Sequence, residues 1–131
     1  QHVHPVEELE QVSDAQEILS LQEAVKDIYV DPLVKQYVAS LVEATRQHEA
    51  VFLGASPRGS LALYRVSQAG ALLEGRDYVL PDDVKALAYP ALGHRVIVSP
   101  AARLKGVTAE EVVAQCLESV PVPGVRARRS S

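Results

Sequence analysis

Apolar positions along this chain recur mostly at helical spacing, in blocks separated by Pro, Gly and Asp. Ile18, Leu21, Ala24, Val25 and Ile28 fall on one stripe with steps of three and four, and Ser13-Asp14-Ala15-Gln16 precedes them as a capping box. Together they predict a first helix from Ser13 to Lys26 or Asp27. Asp31-Pro32 joins a good N-cap to a proline suited to the first helical position. Leu33, Val34, Tyr37, Val38, Leu41, Val42 and Thr45 then predict a second helix to about Gln47, whose wide apolar face suits the centre of a bundle. Residues 48–53 read as a connection. A third helix is predicted from Pro57 to Leu73, apolar around much of its circumference and so the most buried, with Gly75 as its terminator. Gly70 inside it costs about 1 kcal/mol relative to Ala, which points to close packing against a neighbour. A fourth helix runs from Pro81 to Tyr89 or Leu92, ended or kinked by Pro90. Thr108-Ala109-Glu110-Glu111 is a further capping box and opens a last helix to about Ser119, with Val112, Val113, Cys116 and Leu117 inward.

Between these helices the pattern is extended. Tyr29-Val30 before Asp31-Pro32 is echoed by Tyr78-Val79 before Leu80-Pro81, so the two pairs can lie against each other or against the bundle as short extended pieces. Arg95 to Val98 is rich in β-branched residues and predicts a brief strand or a crossing segment. Ala101 to Val107 is a loop with a partly helical bias. The expected fold class is all-α, a bundle of about five helices spanning 13–120. Residues 1–12 form an aperiodic, extended lead-in, and the Pro-rich, Arg-rich stretch 121–131 is a flexible tail.

Composition supports that architecture. The chain has 131 residues, and its 47% hydrophobic content is carried by Leu, Val and Ala, with no Trp. It is one domain, large enough for a core. The net charge of −4 argues against a dedicated nucleic-acid partner. The charge is uneven: residues 1–27 hold seven acids against Lys26, whereas 58–108 hold seven bases against four acids. The second region therefore suits an anionic ligand or partner. Cys116 is the only cysteine, which excludes an internal disulfide and fits a reducing compartment. No apolar run approaches the ~20 residues of a membrane span, and no secretory signal is evident at the start. A cytoplasmic location is the expectation.

Candidate chemistry concentrates at Gly54-Ala55-Ser56-Pro57-Arg58-Gly59. Ser56 is an N-cap, Pro57 fits the first helical position, and Arg58 lands beside the positive pole of the helix dipole. A cation placed for stability alone belongs at the other end. Two readings stand: an anion site of backbone amides plus one guanidinium, or a solvent-facing arginine on an ordinary helix. Asp82-Asp83 at a helix start read as dipole partners and solvated caps rather than catalytic carboxylates. His94-Arg95 reads as a surface pair or as a contact for a partner. His2, His4 and Glu7 lack the convergent second ligand group of a metal site, and Cys116 reads as a small core residue. A phosphate loop of the Gly-x-x-x-x-Gly-Lys-Ser/Thr type is absent. So is a Ser/His/Asp constellation.

In order and spacing, several of these blocks resemble the C-terminal lid of MoxR-type AAA+ ATPases. They are Val30 to Arg46, Gly54-Ala55-Ser56-Pro57-Arg58-Gly59, Ala71-Leu72-Leu73-Glu74-Gly75-Arg76-Asp77-Tyr78-Val79, Pro81-Asp82-Asp83-Val84 and His94-Arg95. The resemblance covers about 13–120. It departs from the family at Leu80, where Thr is frequent, and at Gly59, where Ala is common. Magnesium-chelatase ATPase subunits carry similar lids. The resemblance implies a part of a longer protein, whose preceding α/β core would hold ATP and Mg²⁺, with 1–12 as the end of that core or a linker. It implies that Arg58 is the second sensor arginine, reaching the γ-phosphate with Ser56 and Pro57 beside the nucleotide. The implied partners are the protein's own core, neighbouring subunits of a ring that is usually a hexamer, and a von Willebrand A-type domain protein. His94 and Arg95 are candidate subunit or partner contacts. The implied role is chaperone-like assembly of protein complexes driven by ATP hydrolysis, with no nucleotide bound or hydrolysed by this part alone. The alternative is a free-standing helical interaction module with no nucleotide role.

Overall fold

The computed structural model describes the backbone of residues 5–124 and the side chains from Ala15 to Gly124. The elements are α1 (Pro5–Lys26), α2 (Pro32–Gln47), β1 (Val51–Leu53), α3 (Pro57–Leu73), α4 (Pro81–Leu92), a 3₁₀ turn (Gly93–Arg95), β2 (Ile97–Val98), α5 (Pro100–Leu104) and α6 (Ala109–Ser119). The predicted all-α bundle is observed, with two small β features. Tyr29 and Tyr78 form an isolated parallel bridge, closed by Tyr29 N–H to Asp77 O (2.9 Å) and Val79 N–H to Tyr29 O (2.9 Å). The two Tyr-Val pairs thus meet as their echo in sequence suggests. β1 and β2 pair antiparallel, Val51 opposite Val98 and Leu53 opposite Ile97. The predicted connection at 48–53 therefore contains a strand, because the β-branched stretch beyond Arg95 gives it an edge to pair with.

The core is built on α2. Val34, Tyr37, Val38, Leu41, Val42 and Thr45 are all buried along its inner face. They pack with Leu63 and Ala71 of α3, Val84, Ala88 and Leu92 of α4, and Val113 of α6. A second cluster of Val96, Val98, Val112 and Cys116 sits under the strand pair. The expectation that the third helix is the most buried is not met. Leu61, Val66 and Leu73 of α3 are exposed, and its buried face includes Ser67 and Gln68. Gly70 does mark close packing, since a Cβ there would lie 2.9 Å from Leu87 Cδ1 of α4.

Two further expectations change, both in the first helix. The first helix starts at Pro5 rather than Ser13, so Ser13 lies inside it and the capping box is not its start. Its stripe is only half used. Ile28 is buried, but Ile18 and Leu21 remain exposed along a groove shared with Val66 and Ala69 of α3. α4 runs to Leu92, the longer of the two expected bounds, so Pro90 lies inside it and does not end it. Proline there forfeits one backbone bond in the last turn, and the chain then tightens into the 3₁₀ turn. Beyond α6, Val120 and Val122 pack back against the core. The lead-in residues His2 and His4, the side chain of Glu7 and the arginines of 125–131 lie outside the described residues.

Candidate functional site: the turn before α3

The candidate site is the corner between β1 and α3. Ser56 caps α3 with extended backbone (φ −91°, ψ 178°), and its Oγ accepts the Arg58 N–H at 3.2 Å. Pro57 takes the first helical position, as its fixed φ allows. Gly59 N–H donates to Ser56 O at 2.7 Å, and Ser60 N–H donates to the same oxygen at 3.3 Å. Every amide of the first turn therefore has a partner within the turn. Of the two readings of the motif, the part that offered free backbone amides to an anion is corrected: those amides are spent on the cap. The charge left for a ligand is the guanidinium of Arg58. Arg58 is exposed, and among the described residues its side chain makes no hydrogen bond or ion pair.

The corner is clamped from two sides. On the α2 side, Ala55 is fully buried and its N–H donates to Thr45 Oγ1 at 3.2 Å, while Thr45 Oγ1 donates to Val42 O at 2.6 Å. Gly54 crosses the backbone of Arg46 so closely that a Cβ would stand 2.5 Å from the Arg46 Cα. On the α4 side, a Cβ on Gly59 would meet Ala55 Cβ at 2.9 Å, Leu92 Cδ2 at 3.3 Å and Arg95 Cδ at 3.5 Å. Glycine is thus needed at 54 and favoured at 59 by close approach. Arg95 folds its stem along this corner and donates Nε–H to Ala91 O at 3.2 Å, whereas His94 is exposed. Arg95 therefore joins the Arg58 corner, one residue away through Gly59.

On the same end, Phe52 is 74% exposed, and Leu53 and Ile97 are exposed beside it on the paired strands. The molecule's one phenylalanine thus faces outward, next to the corner that presents Arg58.

Asp82 and Asp83 part company. Asp82 is exposed at the start of α4, as expected of a dipole partner. Asp83 is buried, which corrects the reading of a solvated cap. Its Oδ1 accepts from Arg76 Nη2 at 2.7 Å, and its Oδ2 accepts from Arg76 Nη1 at 2.8 Å and from Leu80 N–H at 2.7 Å. The Arg76 guanidinium holds this carboxyl below the usual carboxylate range, with the Leu80 amide adding to the effect and burial opposing it. Arg76 also donates to Tyr78 O at 3.0 Å and lies over the Tyr78 ring. This knot compensates for Leu80, which has no side-chain acceptor to cap α4. Cys116 is buried, and burial pushes its thiol up.

Thr45 lies on the apolar stripe of the second helix, where its spacing hides its role at the corner. The available signal was its polarity: a hydroxyl on an otherwise apolar face must find partners inside. The Arg76–Asp83 pair left only a weak signal, opposite charges seven residues apart across a proline.

The family described as AAA lid domain matches residues 43–116, which include the clamped corner, α3, α4 and most of α6. YeaC of Bacillus subtilis, an uncharacterized protein, is 44% identical over 120 residues, covering 92% of this chain and 38% of its own length. Chaperone MoxR1 of Mycobacterium tuberculosis is 33% identical over 126 residues, covering 89% of this chain and 33% of its own. A crystal structure of a candidate ATPase from Cytophaga hutchinsonii superposes with a TM-score of 0.77 at 27% identity, over 93% of this chain and 44% of that one. The chain thus spans between a third and two fifths of the length of these two curated relatives. It belongs to the AAA lid domain family, and its lid is of the MoxR type.

Proposed function

We propose that this lid completes the nucleotide site of a MoxR-family AAA+ ATPase through Arg58, acting as the second sensor. The observation that carries the reading is an exposed arginine with no partner among the described residues, carried on a clamped corner at a helix pole that repels it. The residues present fit one contact with a phosphoryl group. Among the described residues the corner offers a single unpaired guanidinium, and ATP and Mg²⁺ are assigned to the core of the full-length protein. Bound there, they supply the phosphoryl group and its charge neutralisation. What this chain adds is a guanidinium carried on a fixed backbone corner, which stabilises the negative charge developing in the transition state. Ser56 and Pro57 act by shaping the turn.

The exposed apolar residues Phe52, Leu53 and Ile97 fit a contact with the protein's own ATPase core, because they flank the arginine that must face it. His94, exposed beyond α4, is assigned to a neighbouring subunit in the ring. The cellular role that fits is chaperone-like assembly of protein complexes, including partners with a von Willebrand A-type domain.

The test is Arg58→Ala in the full-length protein, with ATP turnover and ATP affinity measured separately. Arginines of this kind contribute about 100-fold or more to turnover. We expect kcat to fall by about that factor and the Kd for ATP to change far less. Unchanged turnover would remove Arg58 from the mechanism and leave the chain as a helical interaction module.

A further inference from the structure

We infer that Thr45 is a positioning residue for Arg58: its hydroxyl latches the corner before α3 to the C-terminal turn of α2 and so sets where the arginine stands. This rests on the sensor reading of Arg58 given above. Thr45 is fully buried and lies 13 positions before Arg58 in sequence, on a different helix. Its Oγ1 is used in both directions, donating to Val42 O at 2.6 Å and accepting Ala55 N–H at 3.2 Å. Donation to Val42 fixes the hydroxyl rotor, which leaves its lone pairs for Ala55. Ala55 is fully buried, so no water can replace that acceptor. The next three residues are Ser56, Pro57 and Arg58, with φ fixed at Pro57 and the Arg58 amide tied to Ser56 Oγ at 3.2 Å. Between Ala55 and the Arg58 Cα the backbone is constrained by the Pro57 ring and the Ser56 cap. A displacement at Ala55 therefore reaches Arg58 with little loss. The close crossing of Gly54 over Arg46 limits the corner's motion towards α2 but provides no attraction to hold it there. The Thr45 hydroxyl supplies that attraction.

A methyl in place of the hydroxyl keeps the shape and removes the latch, so Thr45→Val is the informative substitution and Thr45→Ser the conservative one. Misplacing a catalytic group by about 1 Å can lower turnover by about 100-fold. The experiment measures steady-state ATP hydrolysis by the full-length protein carrying Thr45→Val, Thr45→Ser, Arg58→Ala or Thr45→Val with Arg58→Ala. Amide exchange over residues 51–60 is followed in parallel by mass spectrometry.

We expect Thr45→Val to lower kcat by about 10-fold or more with KM changed less than about threefold, and Thr45→Ser to retain turnover within about twofold of the parent. In the Arg58→Ala background, Thr45→Val should lower kcat no further, because its effect passes through the arginine. Exchange should rise across 51–60 and stay unchanged in α6. Three results overturn the inference: normal kcat in Thr45→Val while Arg58→Ala is impaired; losses that multiply in the double variant; or exchange that rises equally throughout the lid, which marks a general loss of stability. That exchange readout also decides the case of a Thr45→Val protein too unstable to assay. If Arg58→Ala itself turns over normally, the sensor reading fails first and the inference falls with it.

Discussion

Replacing Asp83 by Asn tests whether the Arg76–Asp83 knot, rather than a side-chain cap, holds the start of α4. The substitution preserves shape and removes the charge. Asp83 accepts three hydrogen bonds, two from the Arg76 guanidinium and one from Leu80 N–H, and its side chain is only 9% exposed. The amide oxygen of Asn keeps at most part of this set, and its NH₂ group faces donors. Removing one partner of a fully buried pair costs about 3–5 kcal/mol, and exposed pairs are worth about 0.2–1 kcal/mol. Asp83 lies between these limits, because water can reach Arg76 once it is released. A loss of about 2 kcal/mol at pH 7 follows, read as a lower midpoint in urea unfolding. It corresponds to a fall of about 8 °C in Tm, at roughly 4 °C per kcal/mol for a domain of this size. The pH dependence has a definite sign. The folded pKa of Asp83 is lowered, so its contribution is fully present above the unfolded carboxylate value near 4 and is lost as pH falls through the folded value. The gap between parent and variant should be flat from about pH 5 to 8 and should close below about pH 4. Equal stability at pH 7, or a gap as wide at pH 3 as at pH 7, would show that the knot is not what secures α4.

Two other substitutions probe the corner and the core. Gly54→Ala should destabilise by about 1–3 kcal/mol, because its Cβ would stand 2.5 Å from a backbone atom of α2 that cannot swing away, and urea midpoints will show it. Tyr37→Phe should be neutral or slightly stabilising in the same assay, since the buried Tyr37 hydroxyl has no hydrogen-bond partner among the described residues and burial is the main reason its pKa is raised, with Asp82 adding to it.

The helices were legible because local signals and burial coincide in them. Asp31-Pro32, Ser56-Pro57 and Thr108 with Glu111 cap α2, α3 and α6 as their residue types require, with side-chain bonds to Leu33, Arg58 and Glu111 amides. The parallel bridge at Tyr29 and Tyr78 was legible through a repeated dipeptide. What was not legible depends on partners distant in sequence. Val51–Leu53 is too short to announce a strand and exists because Ile97–Val98 lies beside it. The exposure of Ile18 and Leu21 reflects how much of α1 the rest of the bundle can cover, which periodicity does not encode. At the site, the residue type and the cap were readable, and so was the position of Arg58. The state of the amides was not, since it depends on Ser56 O receiving two N–H groups in a tightened first turn.

That last detail sharpens the case for Arg58. A helix N-terminus with free amides would attract an anion without any arginine, and the guanidinium would be one contact among several. Here the first turn is saturated by its own cap, so the dipole still opposes the cation while the amides offer no direct bond to a ligand. Arg58 gains nothing from its neighbours on the helix, and no carboxylate among the described residues compensates it. The surrounding structure nevertheless fixes this corner with a buried hydroxyl, two glycine contacts and a proline. Rigid placement of a charge that stabilises nothing within the lid has a physical rationale if its counter-charge arrives from outside. On the reading proposed above, a nucleotide held on the ATPase core meets that requirement, and the fixed corner limits the ordering left at the moment of reaction to the arginine side chain.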